Sequence, residues 1–492
     1  MIRQFITQLE NHVEIRQTLS KLRQAIKVAE KKDEVVYRIQ ESGINLSHFL
    51  QSEDAKTRKN AALLIGDLQL SQYMDDLYES YMQETQLFVK SSYLIAMHAF
   101  DFNPYLPELK EQLARLCHIE VSIENKKHVE EEIRILTEIV VSLDGIPTHT
   151  FQDLSAPING MLLTNPLHAE ITATQLDTTD YELLNVGVKV QKESLEHLLS
   201  IRTYQQLLLT IPGLSTCEMD PILAANTVAD SPLLKFLINH HDGAVPFYFR
   251  VEVKSKRALD EKSDFAKKFS SELERLTQRN LINSTSHYEV ELRLIESKLE
   301  VYNILVKLNT IPDQRFSYRK NYLSTSIRPE QAALLVELAK EYMIADAQVL
   351  DPFCGVGTML IERQIAVKAN TSYGIDILEE AIVKAKENTA LAGQIIHYVN
   401  KNCCDFTHEY LFDEIFTNMP FAMGHTTDEQ IYDIYVDFLT HARKLLTKEG
   451  ILILYTHHQE YIQSLSKAYG YSILEQWEIT DKNHTHLIVL HV

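Results

Sequence analysis

From the N-terminus to about residue 145, apolar side chains recur at three-to-four spacing and almost no stretch alternates, which predicts successive amphipathic helices. Two of these helices resemble each other at an offset of 32 residues: Thr57-Arg58-Lys59-Asn60-Ala61-Ala62-Leu63-Leu64 aligns with Val89-Lys90-Ser91-Ser92-Tyr93-Leu94-Ile95-Ala96. A basic residue followed by small and apolar positions on one face looks like a HEAT-type repeat, whose units stack into one continuous core. A third helix over residues 129–141 fits the periodicity but not the details, and an irregular helical bundle is the plainer alternative. Either way residues 1–145 read as a binding or scaffolding region without a catalytic cluster.

A boundary is predicted at Asp144-Gly145-Ile146-Pro147, continuing through Pro157, and beyond it the period changes. Residues 184–190 alternate like a half-buried strand and lead into a helical run at 194–200 and a strand at 206–211. Residues 245–253 form another strand, followed by an amphipathic helix near 265–276. Residues 288–294 and 298–308 read as a hairpin. Residues 160–315 are therefore expected to be an α+β module.

The remaining segment, 316–492, opens with a helix over 329–343 that has Pro329 near its start. Strands are expected near 347–351, 371–376, 395–399, 412–418 and 450–456, with helices between them. That alternation implies a parallel, Rossmann-like sheet with right-handed crossovers. Two last strands, 472–479 and 484–492, flank the turn Thr480-Asp481-Lys482-Asn483. They are too close in sequence for a crossover helix and must pair antiparallel.

Composition narrows this picture only slightly. Apolar residues at 45% and charged residues at 24% suit a globular protein, and 492 residues exceed a single core. No apolar run approaches the roughly 20 residues that span a bilayer, and there is no apolar signal core near Met1. The five cysteines form no CxxC pair, so neither a zinc site nor a disulfide framework is expected, and no metal is assigned. A reducing cytoplasm is the natural location. The net charge of −20 argues against a general nucleic-acid coat. Residues 251–350, however, carry 16 Lys+Arg against 15 Asp+Glu, so any basic face belongs in the middle third, with ordinary solvated charge as the alternative.

Four stations in the last segment carry chemistry. Val349-Leu350-Asp351-Pro352-Phe353-Cys354-Gly355-Val356-Gly357-Thr358 reads as a strand, a glycine turn and a helix start. Gly355 and Gly357 let a ligand approach the backbone, and the helix start offers free N–H groups. No Gly-Lys-Ser/Thr follows, so it is not a phosphate P-loop. Asp376 ends the next strand, 19 residues beyond Gly357, where a carboxylate can accept ribose hydroxyls or cap a helix. Asp405 could accept an adenine amino group, with Ile377 and Phe406 sandwiching the ring. Asn418-Met419-Pro420-Phe421 ends a further strand with an amide, a proline and an aromatic. The Asn418 oxygen and a carbonyl next to Pro420 can accept the two hydrogens of a base amine while Phe421 stacks on the base. Orienting that nitrogen at a methyl sulfonium would give in-line transfer by positioning.

Asp-Pro-Phe-Cys-Gly-Val-Gly-Thr, Gly-Ile-Asp and Asn-Met-Pro-Phe together resemble the THUMP-domain-type (UPF0020-like) S-adenosylmethionine-dependent RNA methyltransferases, which methylate N2 of guanosine in tRNA or rRNA. The segments Phe316-Ser317-Tyr318-Arg319-Lys320 and Leu323-Ser324-Thr325-Ser326-Ile327-Arg328-Pro329 are similar to the family's stretch before the glycine loop. The resemblance implies a class I methyltransferase domain at 316–492 and a THUMP-like RNA-binding module at 160–315. It implies that Asp351, Gly355 and Gly357, with Ser326, Ile327 and Arg328, hold the methionine part of S-adenosyl-L-methionine. Asp376 would bind ribose, Asp405 adenine, and Asn418, Pro420 and Phe421 the target base. The chain departs from the family in Ala422-Met423-Gly424, which shifts a glycine by two. The helical N-terminal region is not covered and would serve a protein partner.

An RNA substrate, tRNA before rRNA, is the first expectation, with the base flipped into the pocket. DNA-adenine or protein-glutamine amino methylation uses the same Asn-Pro-aromatic logic, and the α+β module favours RNA over both. A non-catalytic scaffold built on a methyltransferase fold is the reading from another class.

Overall fold

A computed structural model describes residues 2–27, 30–100, 103–119, 121–144, 149–152, 155, 157–243, 245–422, 426–481 and 484–492. The chain forms two compact units, Met1–Pro147 and Thr148–Val492. The predicted boundary residues 145–147, and Lys482 and Asn483 of the predicted final turn, lie outside the described residues.

The first unit is helical throughout its described residues. Helices Ile15–Ala25, Ala55–Leu68, Leu87–Met97 and Ile123–Asp144 pack each on the next. Helix Met74–Gln83 lies against Leu87–Met97, and Leu106–His118 against Ile123–Asp144. The two stretches related by the 32-residue offset thus fall on directly packed helices. Their aligned basic residues both face acids: Arg58 makes a two-pronged pair with Glu84 at 2.7–2.8 Å, and Lys90 Nζ lies 3.9 Å from the buried Glu132. Asp54 caps Ala55–Leu68 by accepting from the N–H groups of Lys56 and Thr57, which satisfies two orphan donors of the first turn. One apolar cluster, from Ile2 through Leu64 and Tyr93 to Ile139, runs through the unit.

The second unit contains two sheets. The first has nine strands. Along its path they run Tyr181–Leu184, Gly187–Ser194, Pro157–Leu163, Gln206–Leu209, Tyr302–Leu308, Val290–Glu296, Phe247–Lys254 and Leu281–Asn283, with Thr216–Cys217 paired to Tyr302–Leu308. Phe247–Lys254 pairs parallel with Val290–Glu296 and with Leu281–Asn283; the sheet's other pairings among the described residues are antiparallel. The single strand expected over 184–190 is instead a hairpin that turns at Asn185-Val186, because Gly187 takes a φ of +146° and sends the chain back. The hairpin expected at 288–308 is present as Val290–Glu296 paired with Tyr302–Leu308. Strands Pro157–Leu163 and Leu281–Asn283 and helices Pro221–Ala229 and Leu233–Asn239 were not anticipated. Their short apolar runs carry no clear period.

The second sheet begins after helix α1 (Pro329–Ala339). Its elements are β1 (Gln348–Asp351), α2 (Thr358–Ala366), β2 (Thr371–Asp376), α3 (Glu379–Leu391), β3 (His397–Asn400), β4 (Phe412–Asn418), α4 (Asp428–Leu445), β5 (Leu446–Thr456), α5 (Gln459–Tyr469), β6 (Ser472–Thr480) and β7 (Thr485–His491). Strand order is β3-β2-β1-β4-β5-β7-β6. The first five strands are parallel; β7 pairs antiparallel with both β5 and β6, as the short final connection demanded. The central strands are near-continuous apolar runs because helices cover both sheet faces. The order reverses between β1 and β4, which opens a crevice at their carboxyl ends.

Several polar ties join the two sheets within this unit. Arg202 grips the buried Glu362 of α2 with two bonds of 2.8 Å, and Tyr318 donates to the same carboxylate at 2.6 Å. Arg315 donates to the carbonyls of Ile201 and Tyr204 and stacks its guanidinium on the Tyr204 ring. Asn165 and His168 donate to the Ile479 and Glu478 carbonyls of edge strand β6.

Candidate active site

A cavity of about 380 Å³ occupies the crevice. Its size suits a small-molecule ligand. Three consecutive features of the chain build its floor. Strand β1 delivers Asp351 with no exposure at all, directly beneath the turn. One Asp351 oxygen accepts from the Thr417 hydroxyl of β4 at 2.5 Å and from Phe353 N–H at 3.1 Å, whereas the other has no partner among the described residues. Burial pushes this carboxyl up to about 7, against the lowering effect of the Thr417 hydroxyl. The turn then passes through Gly355 at φ +50° and Gly357 at φ +83°. A Cβ on Gly355 would meet nothing within 4 Å, leaving the backbone open to a ligand, whereas one on Gly357 would stand 2.3 Å from the Tyr398 hydroxyl oxygen. Gly357 is also the residue from which α2 starts.

Asp376 lies on the cavity wall at the end of β2. One of its oxygens accepts from Gly355 N–H and the other from Leu378 N–H, both at 2.9 Å. Leu378 precedes helix α3, so the carboxylate braces two loops and does not cap the helix. Each oxygen keeps a lone pair for further donors. Ile377, 68% exposed, and Leu378 line the same wall.

The third wall comes from the end of β4. Asn418, Met419, Pro420 and Phe421 all line the cavity. The Asn418 side-chain oxygen is buried and has no hydrogen-bond partner among the described residues. Tyr435 donates to the Pro420 carbonyl at 3.2 Å, which fixes the turn, and one face of Phe421 stacks on His457 with ring centroids 4.3 Å apart. Burial depresses the His457 pKa, so that ring is neutral at physiological pH.

The segment before α1 closes the site. Ser326 and Ile327 line the cavity beside Thr325. Arg319, missed from the sequence, holds this segment by donating to the Thr358 hydroxyl and the Ile327 carbonyl, each at 3.0 Å. Asn388 of α3, also missed, donates to the Asn321 and Val356 carbonyls and accepts from Asn321 N–H, tying the segment to the glycine turn. The sequence offers only an asparagine inside a helical run; that it has no exposure is decided by the fold.

Not all the expected residues converge: Asp351, fully buried, and Gly357 are not among the residues that line the cavity. Arg328 precedes α1 with its side chain 70% exposed and paired to Glu330, outside the cavity lining. Asp405 is exposed and Phe406 is packed in the core, and neither lines the cavity. A tight turn at Cys403–Asp405, capped by the Asn402 side chain, presents Asn402, Cys403 and Cys404 to the cavity instead. The shifted glycine of Met423-Gly424 lies outside the described residues.

An acid at the end of β2, a glycine turn after β1 and an amide at the end of β4 thus line one cavity at the carboxyl ends of the parallel strands. Residues 317–480 match the family described as UPF0020, RMKL-like, methyltransferase domain. This part of the chain is therefore a methyltransferase domain, a class whose methyl donor is S-adenosylmethionine. The chain is 40% identical over 67 residues to an "uncharacterized RNA methyltransferase" of Bacillus cereus (strain ATCC 10987 / NRS 248), covering 13% of this chain and 14% of that protein. It is 37% identical over 89 residues to "uncharacterized RNA methyltransferase BH0687" of Halalkalibacterium halodurans, covering 17% and 18%. The matched stretch thus spans less than a fifth of these curated relatives.

Among solved structures, the fold is similar to TrmN from Thermus thermophilus, with a TM-score of 0.53 at 21% identity over 68% of this chain and 99% of that one. It is similar to SMU.472 in complex with SAH, with a TM-score of 0.53 at 13% identity over 68% and 98%. These likenesses extend the shared fold beyond the third of the chain matched by the family.

Proposed function

We propose that the chain is an S-adenosylmethionine-dependent RNA methyltransferase that transfers a methyl group to an exocyclic base amine, N2 of guanosine in tRNA or rRNA. The observation that carries the reading is the buried, unpartnered Asn418 oxygen on the cavity wall beside Phe421. A buried acceptor without a donor costs about 1–3 kcal/mol. An amine N–H seated there removes that cost and turns the nitrogen lone pair toward the cofactor side of the cavity. Phe421, backed by the neutral His457, offers its other face to the flipped base.

The residues present fit the cofactor. Asp376 has lone pairs free for ribose hydroxyls. Gly355, with Ser326 and Ile327, leaves an open cradle for the methionine part, with Asp351 and Gly357 shaping it from behind. At the adenine end Asn402 and Cys404 lie nearer the cavity than Asp405. When bound, S-adenosylmethionine supplies the electrophilic methyl group; the protein's part is alignment, desolvation and acceptance of the amine's hydrogens.

The α+β sheet at 157–308 is assigned as a THUMP-like RNA-binding module. Its place immediately before the methyltransferase domain and the near-neutral charge of residues 251–350 support this. The successive stacking of helices in the first unit supports a HEAT-like array that binds a protein partner. Among the described residues no helix is long and apolar enough to cross a membrane, and a cytoplasmic enzyme is the proposed setting.

The test is methyl transfer from labelled S-adenosylmethionine to total tRNA, rRNA, duplex DNA and a glutamine peptide, followed by nucleoside mass spectrometry. N2-methylguanosine in RNA is expected. Label confined to DNA adenine or to the peptide, or no transfer to any acceptor, would overturn the assignment.

A further inference from the structure

Asp177, Glu193 and His197 stand at the outer end of the nine-stranded sheet, away from the cavity residues in both sequence and sheet position. Each brings one ligand atom within 4.8 Å of the others. Glu193 is 4% exposed. Its oxygens accept from Thr178 N–H at 2.9 Å and Ser194 N–H at 3.0 Å, but among the described residues no lysine or arginine pairs with it. A carboxylate buried without a countercharge is costly unless a cation joins it.

The imidazole supplies an independent pointer. His197 Nε2 lies 2.8 Å from the Gln175 carbonyl oxygen. A carbonyl only accepts, so Nε2 carries a hydrogen and Nδ1 is the ring nitrogen turned toward the two carboxylates. That nitrogen is 3.5 Å from an Asp177 oxygen. Anchoring one ring nitrogen on a carbonyl so that the other is left as a bare donor is how metal-bound imidazoles are oriented. The spacing agrees as well: metal–ligand bonds of about 2.1 Å at tetrahedral angles place neighbouring ligand atoms roughly 3.4 Å apart. The Asp177 side chain is 78% exposed and free to close the remaining gap.

We propose that Asp177, Glu193 and His197 hold a divalent transition-metal ion, with water completing its shell on the exposed side. One imidazole with two carboxylates favours Zn²⁺ over Ca²⁺ or Mg²⁺, which take oxygen-only shells. The ion joins the loop at residues 174–180 to strand Gly187–Ser194 and helix Leu195–Leu198. It thereby pins the base of edge strand Tyr181–Leu184, whose Tyr181 and Leu183 side chains are exposed.

The experiment titrates chelator-treated full-length protein with Zn²⁺ by calorimetry and with Co²⁺ by visible absorption. It does so for the natural chain, His197→Ala and Asp177→Asn. One ion per chain is expected, with affinity at least about tenfold weaker in each variant and S-adenosylmethionine binding unchanged. No uptake by the natural chain overturns the proposal. So does equal uptake by all three proteins, since the ion would then sit on other members of the 20 histidines. If His197→Ala fails to fold, Asp177→Asn decides alone, because its site is exposed. An imidazolium at His197 whose NMR signals ignore Zn²⁺ would reduce the cluster to an ion pair and end the claim.

Discussion

The two sheets of the second unit share a chain but not an architecture. The nine-stranded sheet is mostly antiparallel, and its hairpins consume strand ends as turns. The seven-stranded sheet is parallel over five strands, so each carboxyl end there must emit a loop into a crossover connection, a helix except between β3 and β4, where the short turn Cys403–Asp405 lies. Where two such loops diverge, between β1 and β4, nothing fills the crevice, and the cavity forms. Catalytic potential follows from connectivity more than from composition: parallel pairing at a reversal of strand order leaves unfilled space lined by loop residues. Antiparallel pairing leaves edges, and in this protein those edges carry the candidate metal cluster and the exposed edge strand.

Five measurements would break or sharpen this contrast. The cavity-bearing sheet rests on a fully buried ion pair, Arg363 of α2 with Glu414 of β4, at 2.6–2.9 Å. Arg363→Met strands Glu414 without a partner, and urea unfolding should show a loss of about 3–5 kcal/mol. A loss below 1 kcal/mol would remove the pair from the sheet's foundations.

Next comes pH. The Asp351 carboxyl, near 7 when folded and 3.8 in the unfolded reference, holds a proton in the native state across that interval. Its contribution is fully present below about pH 4 and is lost as pH rises through 7, amounting to roughly 4 kcal/mol without ligand. Asp351→Asn should flatten that slope in pH-dependent melting, and an unchanged slope would place its origin elsewhere.

Asn418→Ala should lower the methyl-transfer rate by about 10²–10³, the scale of losing one aligned polar contact to the reacting group. Cofactor affinity should hold, so calorimetry that shows both properties falling together would reassign Asn418 to cofactor binding. Asp376→Ala should weaken S-adenosylmethionine by about tenfold or more, the worth of a charged hydrogen bond; an unchanged Kd would leave it only its two loop N–H bonds. Least affected should be Lys189→Ala on the nine-stranded sheet, whose partner Glu182 is exposed. A stability change above about 1 kcal/mol, or any change in cofactor binding, would blur the separation between the two sheets.

Legibility differed in the same way. In residues 316–492 every strand was placed to within a few residues because long apolar runs alternate with helical periods. In 157–308 short strands without a clear period escaped, as at Pro157–Leu163, and one apparent strand proved to be two because Gly187 reverses the chain. At the site, Asn418, Asp376 and the glycine turn were readable since each ends a predictable strand. Asn402 in place of Asp405, and the braces from Arg319 and Asn388, were not. Which residues of the short turn at Cys403–Asp405 meet the cavity depends on how that turn packs against the sheet, and braces are contacts between distant segments.

By itself, then, the sequence determined the period of each element, the strand–turn–helix at Asp351 to Thr358 and the chemistry available at Asn418 to Phe421, because these depend on neighbours a few residues apart. Only the tertiary structure decided that Asp351 lies buried beside Thr417, 66 positions away, that the Asn418 oxygen has no donor, and that Asp177, Glu193 and His197 converge. Burial and convergence are properties of packed surfaces, which no local pattern along the chain encodes.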